Sequence, residues 1–189
     1  MTTYDKILQL ADSCIQADGF HGFSFSDLAT GVGIKKASIH HHFPTKTDLG
    51  LAYCDYKVGV FNQLGERLQA LPTGLQRLKG YLDAFSGCAS GGEMCGIYAM
   101  LSDSHNFPAE LQSAVSRLAQ TELDIIEALL IAGVECGEIT LNNISARDQA
   151  TIVSSALKGA LMLNRLPPYD AYSKMSAALL KTLDAKAKV

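Results

Sequence analysis

A chain of 189 residues, 48% hydrophobic and 19% charged, has room for one large or two small domains with a substantial core. That balance excludes a disordered polymer, and no apolar run reaches the length that spans a bilayer. The formal net charge of −3 argues against a broadly cationic surface, so any attraction to nucleic acid has to be local. The start of the chain lacks a basic segment followed by an apolar one, and the expected location is the cytoplasm. Cys14, Cys54, Cys88, Cys95 and Cys136 are an odd set without C-x-x-C spacing, which fits reduced thiols better than disulfides or a zinc site.

Tyr4, Ile7, Leu8, Ala11, Cys14 and Ile15 recur at helical spacing and predict a first helix over residues 4–18, capped by Gly19. Thr2 with Asp5 has the form of a capping box at its start. Phe20, Phe23 and Phe25 add to a small core. Ser24 with Asp27 is a second box and opens a short helix carrying Leu28 and Ala29, which Gly31-Val32-Gly33 breaks. A further short helix, Lys35 to Phe43, is closed by Pro44. Two short helices joined by a glycine turn form a helix-turn-helix.

Thr45 with Asp48 opens a long helix to about Leu71, striped by Leu49, Ala52, Tyr53, Tyr56, Val60, Leu64 and Leu68. Pro72-Thr73-Gly74 breaks it, and Leu75, Leu78, Leu82 and Phe85 give a shorter helix. Gly87 to Glu93 reads as a loop. A short helix over about Cys95 to Ser104 precedes a long one from Ala109 to about Cys136, stopped by Gly137. Ser145 with Asp148 is a fourth box and starts a helix to about Leu166, ended by Pro167-Pro168. The last helix runs from about Tyr169 to Ala185. The expected fold is all-α, with about nine helices and no strand.

The stretch from Ser24 to Leu49 resembles the helix-turn-helix of the TetR family of bacterial transcription regulators. The matching residues are Ser24, Leu28-Ala29, Val32-Gly33-Ile34, Lys36-Ala37-Ser38-Ile39-His40-His41-His42-Phe43 and Pro44-Thr45-Lys46-Thr47-Asp48-Leu49. The departures are His40 and His42, where the family has aromatic phenols, and Val32, where it has alanine. The resemblance implies a DNA-binding domain over residues 1–46 and a regulatory and dimerisation domain over residues 47–189. It also implies a homodimeric, ligand-responsive repressor of a palindromic double-stranded operator.

Residues 1–50 hold Lys6, Lys35, Lys36 and Lys46 against five aspartates, yet three of those lysines fall between positions 35 and 46, beside His40, His41 and His42. Salt screens charges beyond roughly 10 Å, so this local cluster decides docking. The expected DNA contacts are Ser26, Lys35, Lys36, Ala37, Ser38, His40, His41, His42, Thr45 and Lys46, with Lys36 and Lys46 as the main phosphate ligands. Thr45 and Lys46 together read as a phosphate clamp at a helix N-terminus. Consecutive helical residues point about 100° apart, so the three histidines cannot converge on one metal ion. No metal or cofactor is expected.

The resemblance further implies an effector cavity among the middle helices, for which Tyr56, Phe61, Tyr81, Phe85, Cys95, Tyr98 and Met100 are the candidates. The last two long helices need a partner, and the expected dimer face is Val153, Ala156, Leu157, Ala160 and Leu161 with Tyr172, Met175, Leu179 and Leu183. Cys95 follows a loose segment near a helix start, where a thiol's pKa falls, so a thiol-based redox or electrophile sensor is an alternative. No catalytic motif stands out, and no enzymatic activity is expected. The alternative from another class is an all-α small-molecule-binding protein or enzyme whose head has lost DNA affinity.

Overall fold

The computed structural model describes residues 1–188. Among them are ten α-helices: α1 (Thr3–Asp18), α2 (Phe25–Val32), α3 (Lys36–His42), α4 (Lys46–Gln69), α5 (Gly74–Asp83), α6 (Ser86–Gly91), α7 (Gly96–Asp103), α8 (Ala109–Glu135), α9 (Ala146–Leu163) and α10 (Ala171–Leu183). The nine helices expected from the sequence are all present, and among the described residues no strand accompanies them.

The boundaries follow local chemistry. At α1 the Thr2 N–H donates to Asp5 Oδ2 at 2.8 Å while Asp5 N–H donates back to Thr2 Oγ1 at 3.1 Å. Ser24 and Asp27 do the same for α2, and Thr45 and Asp48 for α4. Ser145 Oγ accepts the Asp148 N–H at 3.0 Å to start α9. Gly33 ends α2 at φ +76°, in the left-handed region that a side chain would disfavour.

Two expectations need correction. The stretch read as a loop, Gly87 to Glu93, lies largely within α6, a helix of six residues that begins at Ser86. Its Ala89 carbonyl accepts from Asn164 Nδ2 at 2.9 Å, a tertiary bond that no local pattern announces. The helix expected to run to Leu166 stops at Leu163, three residues earlier. There Asn164 Oδ1 accepts the Tyr172 N–H at 3.1 Å, so the side chain that steadies α6 also joins the end of α9 to α10.

Packing separates the chain into two compact units. The first comprises residues 1–59 and 94–119. Its core combines Ile7, Leu8, Ala11 and Ile15 of α1 with Leu28, Ile39, Phe43, Leu49, Tyr53, Ile97, Met100 and Leu111, all buried. Several polar ties fasten α7 and α4 to α1 and the turn after it. Met94 N–H donates to Gln16 O at 2.8 Å, and Phe20 N–H to Asp103 Oδ2 at 3.0 Å. Asp12 accepts from Tyr53 Oη at 2.9 Å and from Lys57 Nζ at 3.0 Å. A Cβ at Gly96 would overlap the Tyr53 hydroxyl. Gly96→Ala is therefore expected to cost about 1–3 kcal/mol, the usual penalty of overpacking. Gly59→Ala, with nothing within 4 Å of the added carbon, is the control and should gain stability from helix propensity. Thermal unfolding of the two variants checks both signs.

The second unit comprises residues 60–93 and 120 onward. Leu78, Tyr81 and Leu82 of α5, Ile126, Leu129 and Leu130 of α8, Val153, Leu157 and Leu161 of α9, and Tyr172 and Leu183 of α10 make its core. Thr140 N–H to Leu183 O and Ala185 N–H to Glu138 O, both 2.9 Å, strap the end of α10 to the segment after α8.

Candidate nucleic-acid interface

Helix α3 buries Ile39 and Phe43 against the head's core, which leaves Lys36, Ala37, His40 and His41 exposed. These lie at i, i+1, i+4 and i+5 and so share one face. Lys35, the N-cap residue, is exposed just before them, and Ser38 is half-buried at the edge. Neither Lys35 nor Lys36 has an ion-pair partner among the described residues, so both charges are open to an anion.

The three histidines take different surroundings. The Pro44 carbonyl can only accept, so at 3.3 Å His40 Nδ1 is the protonated ring nitrogen and, in the neutral ring, Nε2 is an acceptor. The Phe25 ring meets His40 edge-on at 5.0 Å and holds it in place. His42 is half-buried, with Tyr4 of α1 at 6.0 Å, and so braces the helix from behind. His41 is exposed. On α2, Ser26 is exposed with Thr30 one turn on, whose hydroxyl donates to the Ser26 carbonyl at 3.0 Å. Thr30 carries no signal in the sequence, and only its exposure beside Ser26 sets it apart.

The phosphate clamp at the head of α4 is not what the geometry offers. Thr45 spends its hydroxyl and its N–H on Asp48 Oδ2, at 2.7 and 2.8 Å. Lys46 turns inward: its Nζ donates to the Phe23 carbonyl and lies 4.1 Å from the Phe23 ring centroid and 5.2 Å from that of Phe20. Burial lowers the Lys46 pKa, opposed by the nearby carboxylates of Asp103 and Asp27. Its ammonium serves the Phe20–Ser24 turn that positions α2.

The candidates for an effector pocket divide between the units. Tyr56, Cys95, Tyr98 and Met100 fall in the first, and Phe61, Tyr81 and Phe85 in the second. The latter three form a row, with ring centroids 6.3 Å apart for Phe61–Phe85 and 5.4 Å for Phe85–Tyr81. The two large clefts of the second unit have other linings. One of about 600 Å³ is bounded by Ser86, Ser90, Asn164, Arg165, Tyr169 and Ser173. The other, about 590 Å³, lies along Asn62, Gly65, Gln69 of α4 and Thr121, Asp124, Ile125 of α8. Cys95 is 2% exposed, which closes it to a diffusing oxidant and counts against the thiol-sensor reading. Burial pushes the pKa of the Cys54 thiol up to about 12, with Asp55 adding to the rise.

The expected dimer face is largely core. Val153, Leu157, Ala160, Leu161, Tyr172 and Leu183 are buried within their own unit, which leaves them little surface to offer a partner. Ala156, Met175 and Leu179 are half-buried. A different stripe remains open on α9: Ile152, Ser155, Gly159 and Leu163, followed by Leu166 just beyond the helix. Leu163 and Leu166 are each 72% exposed.

A helix-turn-helix with an open basic recognition face, built into an all-helical chain, defines a DNA-binding regulator. Residues 7–53 match the family model of bacterial regulatory proteins, tetR family, and solved regulators of that family share the fold of nearly the whole chain. A TetR-family regulator from Agrobacterium tumefaciens superposes with a TM-score of 0.88 at 26% identity, over 96% of this chain and 97% of that one. The fatty acid metabolism regulator protein of Bacillus subtilis (strain 168) is 23% identical over 137 residues, 72% of this chain and 70% of that protein. The structure of FadR from Bacillus subtilis in complex with stearoyl-CoA shares the fold at TM-score 0.69 and 19% identity, covering 94% of this chain and 96% of that one. No helix among the described residues is long and apolar enough to cross a membrane.

Proposed function

We propose that the protein is a homodimeric, ligand-responsive repressor. Residues 1–46 of each copy read one half of a palindromic operator, and residues 47–189 dimerise and bind a small-molecule effector. The open face of α3 carries the reading, because Lys36, Ala37, His40 and His41 are exposed together while Ile39 and Phe43 anchor the helix from behind. Small Ala37 allows close approach to a major groove, and His40 Nε2 is placed to accept from a base amino group. Lys35 and Lys36 supply phosphate contacts, with Ser26 and Thr30 of α2 alongside. Two such heads on a two-fold axis would address half-sites about 34–36 Å apart or slightly more.

The α9 stripe of Ile152, Ser155, Gly159 and Leu163 supports the dimer, since small residues between large apolar ones let two helices approach closely. That a similar fold holds stearoyl-CoA supports an organic effector for the body. An effector that prefers the conformation unable to dock would shift the population off the operator. The test is binding of the purified protein to duplexes selected from random sequence, titrated with salt. Selection of a palindrome whose affinity falls steeply with salt is the expected result. Recovery of no preferred sequence would sink the reading and leave the body to be studied as a ligand binder.

A further inference from the structure

Four polar side chains meet inside the second unit where apolar packing would be expected. Glu122 of α8 is 1% exposed, and each of its carboxylate oxygens has partners. Oε1 accepts from the Tyr81 hydroxyl at 2.8 Å, and Oε2 accepts from Ser154 Oγ at 2.7 Å and from Lys158 Nζ. Lys158 also donates to Ser154 Oγ, one turn away on the same face of α9. A buried ion pair is a poor stabiliser, because desolvating both charges offsets their attraction; apolar residues of similar volume serve at least as well.

The two charges are not equally fixed. Glu122 sits on a short stem and accepts from donors on both α5 and α9. Lys158 reaches it on four methylenes from the margin of the core, its side chain 11% exposed. Such a stem is long enough to carry its ammonium into water, provided that another cation takes its place at the buried carboxylate. The aromatic row of Tyr81, Phe85 and Phe61 runs on from the carboxylate, each ring within 6.3 Å of the next. A fixed carboxylate with a tyrosine hydroxyl and aromatic rings beside it has the chemistry that holds an organic cation.

We propose that Glu122 anchors a cation site in the body of the protein, and that the Lys158 ammonium is a resident occupant which the ammonium group of a small alkylamine displaces. One cation replaces another, so the buried carboxylate stays neutralised throughout. An anionic ligand would instead meet Glu122 head-on. The inference rests on the reading that this body binds an effector, and it names the chemical class.

Chemical rescue tests it without DNA. Lys158→Ala is expected to melt lower than wild type, and n-butylammonium chloride should restore at least half of the loss where sodium chloride at equal concentration does not. Wild type should itself be raised by n-butylammonium and not by sodium butyrate. The double variant Glu122→Gln/Lys158→Met, with no buried charge to neutralise, should respond to neither. Equal effects of the amine and sodium chloride on both Lys158→Ala and wild type would overturn the proposal, and so would an amine effect that survives in the double variant. Should Lys158→Ala fail to fold, the wild-type comparison decides alone. Operator release separates the two readings. Release by carboxylates and not by amines would keep an effector-binding body and discard the cation site. Rescue without any effect on operator binding would keep the site and discard its role as effector.

Discussion

Leu163→Glu/Leu166→Glu should convert the protein into a monomer whose affinity for a full palindromic operator is about 10²- to 10⁴-fold weaker, with affinity for an isolated half-site unchanged. Both leucines are 72% exposed, so the folded protomer loses almost no packing when they are replaced. A two-fold axis would bring four new carboxylates together in the dimer, and a buried unpaired charge costs several kcal/mol. Once the copies separate, the second head no longer benefits from the high effective concentration that tethering gives the first, which sets the size of the loss. Sedimentation and fluorescence anisotropy on full and half sites check it. Val153→Glu is the informative contrast: Val153 is fully buried, so that variant should unfold its unit rather than yield a soluble monomer.

The same two leucines show what the sequence can and cannot say. Helix ends were legible because their signals are local: three reciprocal capping boxes, the Ser145 cap and the glycines at 33 and 137 act within one turn of where they stand. The partner of an apolar stripe is not local. Val153, Leu157 and Leu161 make the strongest stripe on α9, and periodicity cannot tell whether a stripe faces its own core or a second copy. The protomer's core claimed it, and the weaker series Ile152, Ser155, Gly159, Leu163 was left outside. Helix α6 escaped for a similar reason, since three glycines hide a helix that Asn164 supports from 75 positions away. The Glu122–Lys158 pair spans 36 positions and carries no periodic signal at all.

The recognition residues divide the same way, and the two lysines given equal weight in the sequence should now behave differently. Lys36→Ala removes an exposed, unpaired charge from each head. A hydrogen bond to a charged group contributes about 1.5–3 kcal/mol, so losing two from a symmetric dimer should weaken operator binding at least about 100-fold at moderate salt. The plot of log affinity against log salt should flatten by about 2, close to one unit for each phosphate that is no longer neutralised. Lys46→Met should leave that slope unchanged and operator affinity within about threefold. Its cost should appear as stability, about 1–2 kcal/mol, because the Phe23 carbonyl loses its donor and the Phe20 and Phe23 rings lose their cation. In a protein of this size that lowers the melting temperature by about 2–4 °C per kcal/mol. Anisotropy across a salt series, with thermal unfolding of the same preparations, separates the roles. If Lys46→Met flattened the slope as Lys36→Ala does, Lys46 would have to leave its aromatic cage when DNA arrives, and the Phe20–Ser24 turn would have to re-form without it.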